Sequence, residues 1–388
     1  MEERRYDIDW LRIFATYLLF PFHVSKVYDA FPDYPIRSLD LSMPLTYFTS
    51  FVHLWHMPLF FVLAGWSLYG SLSRRGARAV LRERVNRIFL PFLVGSATFC
   101  LVIGYFERVL MVRWIVANHL EASPAAASFH PQALAAGKDL TFLQYVPKFF
   151  TSLDYFSWSH LWFLIYLFTF TLLWFPLFRW LARRAGTMTF RRPWQLYLPI
   201  PALFLMQGIL RIWWPGFQNL YNDWGNFAYY STAMILGFLL ASQPAIGEAI
   251  AREWRRAAVI GVIAGALCLW TISHRNDWAD VPRHLCYHAF GTTAGYTLVI
   301  GLLGFARSHL NFRNRAQGYL AESALPVYII HQAAIVIPGW AIMHLSLGLP
   351  LRFSLLLAVA PALCLATYHL LVRPFSLPRR LLGMKPLR

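Results

Sequence analysis

The chain has 388 residues, of which 58% are hydrophobic, 17% aromatic and only 14% charged, and its mean hydropathy is +0.46. That composition excludes an ordinary soluble domain and a disordered chain, and points to an all-α, polytopic integral membrane protein. The net charge of +17 does not argue for nucleic acid, because the basic residues flank apolar stretches with no aromatic stacking platform among them; anionic membrane lipids are the expected partners.

Ten apolar stretches run near 8–30, 42–70, 88–112, 160–182, 195–214, 225–242, 257–274, 286–306, 320–345 and 350–372, most of them long enough to cross about 30 Å of hydrocarbon as a helix. Of the 35 Lys and Arg, 24 fall in the N-terminal tail, alternate loops and the C-terminal tail. Positive-inside bias therefore expects both termini in the cytoplasm, which an even number of spans also requires. The expected organisation is one transmembrane domain over 1–388, with an outer-face loop at 113–158 and a basic cytoplasmic tail at 373–388. Within that loop, TFLQYVPKFFTSLDYF suits an interfacial amphipathic helix. The four cysteines lie in apolar stretches, so neither a disulfide framework nor a metal knuckle is expected.

Ionisable groups inside such stretches are candidates for function. Arg12 and His23 share the first stretch, IDWLRIFATYLLFPFHVSKVY; on one continuous helix they would be roughly 16 Å apart along the axis, too far to touch. Arg12 is either a structural partner of Asp9 at i, i+3 or an anion site. His23 follows Pro21 and is either a general base or a histidine bonded to a neighbouring helix. His53 and His56 stand at i, i+3 in FVHLWHMPLFF without a nearby carboxylate or cysteine to complete a metal shell, so no metal is expected. Arg84 and Arg87, three apart in LRERVNRIFLPF, are either a positive-inside anchor or a phosphate clamp. His160 opens SHLWFLIYLF at a membrane interface. Arg211, beside Trp213 and Trp214, either snorkels or binds an anion. Glu322, Ser323, Tyr328 and His331 line the ninth stretch, as a polar cavity wall or as ordinary interhelical hydrogen bonding.

Taken in order, the aspartate-flanked Arg12, His23 eleven residues on, Arg84 and Arg87 followed by Ile88 and Pro91, the HLWFL opening, and Ser323, Tyr328 and His331 resemble the membrane acyltransferase-3 family over nearly the whole chain. FPFHVS, RVNRIFLP, SHLWFL and IIHQ are most similar to its glucans biosynthesis protein C branch, which succinylates periplasmic glucans. The resemblance implies a ten-helix enzyme of the bacterial inner membrane that moves a succinyl or acetyl group from cytoplasmic acyl-CoA to a hydroxyl of a periplasmic or exported glycan. It implies His23 as the catalytic histidine, Arg12 as its motif partner, and Arg84 and Arg87 as the cytoplasmic pair that takes the anionic donor. Arg211, His160, Tyr328 and His331 are further substrate-binding candidates. The competing reading is a proton-coupled permease using His23, Arg12 and Arg211. The sequence shows no internal repeat, which counts against duplicated transporter halves.

Overall fold

The computed structural model describes residues 5–31, 33–123, 126, 140–188, 192–216, 218–274, 277 and 279–387. Every regular element among them is helical. The first apolar stretch forms two helices, α1 (Tyr6–Tyr17) and α2 (Leu19–Lys26), rather than one continuous span. Pro21 has no N–H to donate to the carbonyl of Tyr17, so the ladder breaks at Leu18 and resumes with Phe22 N–H donating to Leu18 O at 3.1 Å.

α3 (Met43–Leu72) and α4 (Ala77–Ala117) are the next long helices. α4 carries π-helical turns at Val85–Phe89, Ser96–Cys100 and Phe106–Met111. The first of them precedes Pro91, which cannot donate to Arg87 O. Arg84 ends the α-helical part and Arg87 lies in the wider turn, so their three-residue spacing does not put them on one α-helical face.

Of the expected loop at 113–158, residues 124–125 and 127–139 lie outside the described residues. Its amphipathic segment is α5 (Phe142–Thr151), started by a reciprocal capping box between Thr141 and Gln144, with Tyr145 and Phe149 buried one turn apart. A 3₁₀ turn, Ser159–Leu161, leads into α6 (Trp162–Leu173), which meets α7 (Phe175–Arg183) at a 62° bend. Pro176 in the first turn of α7 removes the donor that a straight continuation would use.

The remaining helices are α8 (Pro199–Trp213), α9 (Trp224–Ser242), α10 (Pro244–Ser273), α11 (Asp280–His309), α12 (Arg315–Met343), α13 (Leu349–Val372) and α14 (Ser376–Leu381). Among the described residues seven helices are long and apolar enough to cross a membrane, or eight if the bent α6–α7 pair is one span. The chain is a multi-pass membrane protein. The other two expected stretches are the broken α1–α2 pair and α9, whose first turns carry Asn226, Tyr229, Tyr230, Ser231 and Thr232.

The Cα positions gather into two compact units. The first comprises Met1–Ala15, Ser50–Arg84 and Tyr166–Ala321. Small residues set its packing: a Cβ on Gly301 would lie 3.0 Å from Ala258 Cβ and one on Gly304 2.2 Å from Trp254 Cβ, so α10 and α11 approach closely in antiparallel register. The second comprises Thr16–Thr49, Val85–Ile165 and Glu322–Arg388. In it a Cβ on Gly95 of α4 would meet Leu161 at 2.6 Å and Ile329 at 3.0 Å, which brings α4, the 3₁₀ turn and α12 together.

Candidate active site

Within the second unit, α12 places Tyr328, His331 and Gln332 on one face by their i, i+3, i+4 spacing. The 3₁₀ turn meets that face. Ser159 sits at φ +43°, a left-handed conformation uncommon for a residue with a Cβ, and Ser157 Oγ accepts from its N–H at 3.0 Å. This sharp turn directs His160 to α12: His160 Nε2–H donates to Ile329 O at 3.0 Å, and the Tyr328 hydroxyl donates back to His160 O. Gln332 Nε2 donates to Ser159 Oγ at 3.1 Å.

His331, wholly buried, stands between two other imidazoles. Its ring centroid is 4.9 Å from that of His160, nearly edge-on, and 5.1 Å from that of His23 on α2. His331 Nδ1–H donates to Tyr328 O at 2.7 Å. A carbonyl can only accept, so the hydrogen sits on Nδ1, and Nε2 carries the lone pair in the neutral ring. By the same argument His160 keeps its hydrogen on Nε2 and its lone pair on Nδ1, a buried atom with no hydrogen-bond partner among the described residues. His23 is only half-buried, unlike the two histidines behind it. Phe22 packs edge-on to it at 5.0 Å and Tyr34 stacks on it at 5.5 Å with the rings 25° apart. The second unit thus gathers four residues singled out from the sequence, His23, His160, Tyr328 and His331.

The arginines divide. In the first unit Arg12 forms the i, i+3 ion pair with Asp9 at 3.0 Å and also donates to Ser67 Oγ on α3. Arg84 Nη2 reaches Ser71 Oγ at 3.5 Å, and Ser71 Oγ donates to Ser67 O at 3.0 Å, so both arginines dock along the last turns of α3. In the second unit Arg87 Nε donates to Gly383 O in the tail at 3.3 Å. The basic tail is anchored there: Arg379, 8% exposed, donates to Arg373 O, Lys385 O and Glu322 Oε1, the last at 2.8 Å. Glu322 is the tail's partner on α12.

Arg211 uses its guanidinium inside the first unit. Nε donates to Gln207 Oε1 at 2.7 Å, Nη1 to Pro215 O at 2.7 Å and Nη2 to Asn226 Oδ1, and Asn226 in turn bonds the buried Asp223. Arg211→Gln is expected to lower stability by about 2 kcal/mol and leave the KM of either substrate within about twofold, because charge-assisted bonds to protein groups are what it loses. Thermal unfolding beside steady-state kinetics checks this; a selective rise in KM with unchanged stability would instead assign Arg211 to substrate binding.

His56 donates from Nε2 to Ala15 O at 2.7 Å and is 2% exposed, whereas His53 faces outward. Hydrogen bonding accounts for His56. Among the described residues no group of three or more His, Cys, Asp or Glu could hold a metal ion. Two features of the site escaped the sequence reading. Tyr34 lies in FPDYPIRS, whose spacing carries no helical or motif signal, and Gln332 shows only as the residue after His331.

Comparison with known proteins decides the family: an acyltransferase-domain profile matches residues 5–369. The chain belongs to the acyltransferase-3 family. It is an acyltransferase of the membrane. Curated relatives include the glucans biosynthesis protein C of Salmonella paratyphi B, of Salmonella dublin and of Salmonella enteritidis, each 24% identical over 381 residues, covering 95% of this chain and 92% of the relative. No solved structure matches.

Proposed function

We propose that this acyltransferase moves a succinyl or acetyl group from cytoplasmic acyl-CoA to a hydroxyl of a periplasmic or exported glycan, with His23 as the general base. The carrying observation is the graded burial of the histidine row: His23 is half-buried, and His331 and His160 stand enclosed behind it. Of the three imidazoles His23 is therefore the most open to an incoming group. The names of the curated relatives support a glucan as acceptor class. The clustering of basic residues supports an inner-membrane protein with both termini in the cytoplasm.

The reaction runs in two moves. His23 takes the proton of the acceptor hydroxyl as that oxygen bonds to the thioester carbon, and the carbonyl electron pair moves onto oxygen. Collapse of this tetrahedral species restores the carbonyl and breaks the C–S bond. The leaving thiolate takes the proton from the His23 imidazolium, so the products are an ester and a free thiol and the enzyme is regenerated without a covalent intermediate. Arg12, Arg84 and Arg87 are the candidates for the anionic part of the donor, since guanidinium forks match phosphate oxygens.

The test is mass spectrometry of periplasmic and surface glycans from cells lacking the chain, then restored with wild type or with His23→Ala at matched membrane levels. The expected result is a defined acyl mass that disappears on deletion, returns with wild type and stays absent with His23→Ala. Glycans identical in all three strains would refute the glycan acceptor.

A further inference from the structure

We propose that Tyr34 is a second catalytic group at this site, its phenolic hydroxyl donating to the thioester carbonyl oxygen as negative charge develops on it. The inference rests on the acyl-transfer reading of the His23 site and adds the partner that reading lacks, a donor for the oxyanion.

Three observations carry it. The Tyr34 ring lies nearly parallel to His23 with centroids 5.5 Å apart, a separation within reach of one acyl group contacted by both rings. Its side chain is 5% exposed, yet the buried hydroxyl makes no hydrogen bond among the described residues. A phenol in such a place costs folding free energy that a phenylalanine would not, since an unsatisfied buried donor forfeits its hydration. Tyr28 also buries an unbonded hydroxyl, but its aromatic neighbour is Phe353 rather than a histidine.

The third observation is that the segment presenting Tyr34 is held in advance. Lys26 pairs with Asp29 at 2.9 Å, Thr49 donates to the same carboxylate at 2.8 Å, and Arg37, 1% exposed, donates to Asp29 O at 3.2 Å. Ser38 N–H donates to Val27 O at 2.9 Å and Ser42 N–H to Tyr28 O at 2.8 Å. Burial pushes the Tyr34 phenol well above its ordinary pKa, so the group stays a donor throughout the working range. A preorganised donor aimed at developing charge contributes to the transition state rather than to ground-state binding.

The experiment uses the full-length protein in membrane vesicles with succinyl-CoA and acetyl-CoA as donors and periplasmic glucan as acceptor. Tyr34→Phe keeps the ring stack and removes one oxygen. It is expected to lower kcat by about 10²- to 10³-fold, with both KM values unchanged within about threefold and a thermal midpoint at or above that of wild type. Turnover within about threefold of wild type would overturn the proposal. So would a loss that travels with a lower thermal midpoint, which assigns the hydroxyl to packing, or a rise in acceptor KM at unchanged kcat, which assigns it to sugar binding. His23→Ala run in parallel separates the two claims: its activity decides the general base, and Tyr34→Phe alone decides the oxyanion donor.

Discussion

His23→Ala is expected to reduce acyl transfer by about 10²- to 10⁴-fold, the range that a positioned general base supplies. The donor KM should move little, because the imidazole acts on the acceptor's proton and not on the donor's anionic part. Packing allows the variant to fold: His23 is half-buried, and its neighbours Phe22, Tyr34 and His331 are each also held by their own helices or segments. His331→Gln is expected to cost less, about tenfold, since it removes an ordering contact behind the base rather than the base itself. Turnover numbers on matched amounts of protein, read beside thermal midpoints, check both. Equal losses in the two variants with unchanged stability would show that His331 shares the proton transfer; full activity in His23→Ala would remove the general-base assignment.

What could be read from the chain beforehand divides along physical lines. Helices were legible because an apolar run in lipid must satisfy its own backbone, and every long apolar stretch except the first is a helix or a bent pair. The breaks at Leu18 and Trp174 follow from Pro21 and Pro176, whose missing donors were visible, although a proline alone does not say whether a helix bends or divides. Local pairs were legible too: Asp9 and Arg12 meet at i, i+3 as their spacing expects. The histidine row was not a matter of spacing at all. His23, His160 and His331 come from three distant parts of the sequence, and only the ordered resemblance to a family singled them out together. Tyr34 had no signal of either kind. Its place depends on a segment pinned by Lys26, Asp29 and Arg37, a tertiary arrangement that no period encodes. Arg211 remained ambiguous for the same reason, since Gln207 at i−4 is local but Asn226 arrives from the next helix.

Gly237→Ala is expected to be among the most disruptive single-methyl changes in the first unit. α3 and α9 touch backbone to backbone through two reciprocal glycines. A Cβ on Gly237 would lie 2.1 Å from Val62 O and 2.6 Å from Val62 Cα, and one on Gly65 would lie 2.0 Å from Met234 O and 2.8 Å from Phe238 N. Neither clash can be relieved by turning a flexible side chain, because the atoms met are main chain. The helices would have to separate, and aromatic pairs beside the contact, Phe61 on Tyr230 at 4.8 Å and Tyr69 on Phe238 at 5.4 Å, would open with them. Overpacking of this kind costs about 3 kcal/mol or more, well above what the methyl returns in helix propensity. Gly70→Ala is the internal control, since its nearest neighbour is the end of the Arg74 side chain at 4.0 Å; it should leave stability unchanged or raise it by up to about 1 kcal/mol. Because one separation of the helices relieves both clashes, Gly65→Ala combined with Gly237→Ala should cost less than the sum of the single changes. Thermal unfolding of the four variants decides the matter: additive losses, or equal behaviour of Gly70→Ala and Gly237→Ala, would mean that α3 and α9 do not meet through these glycines.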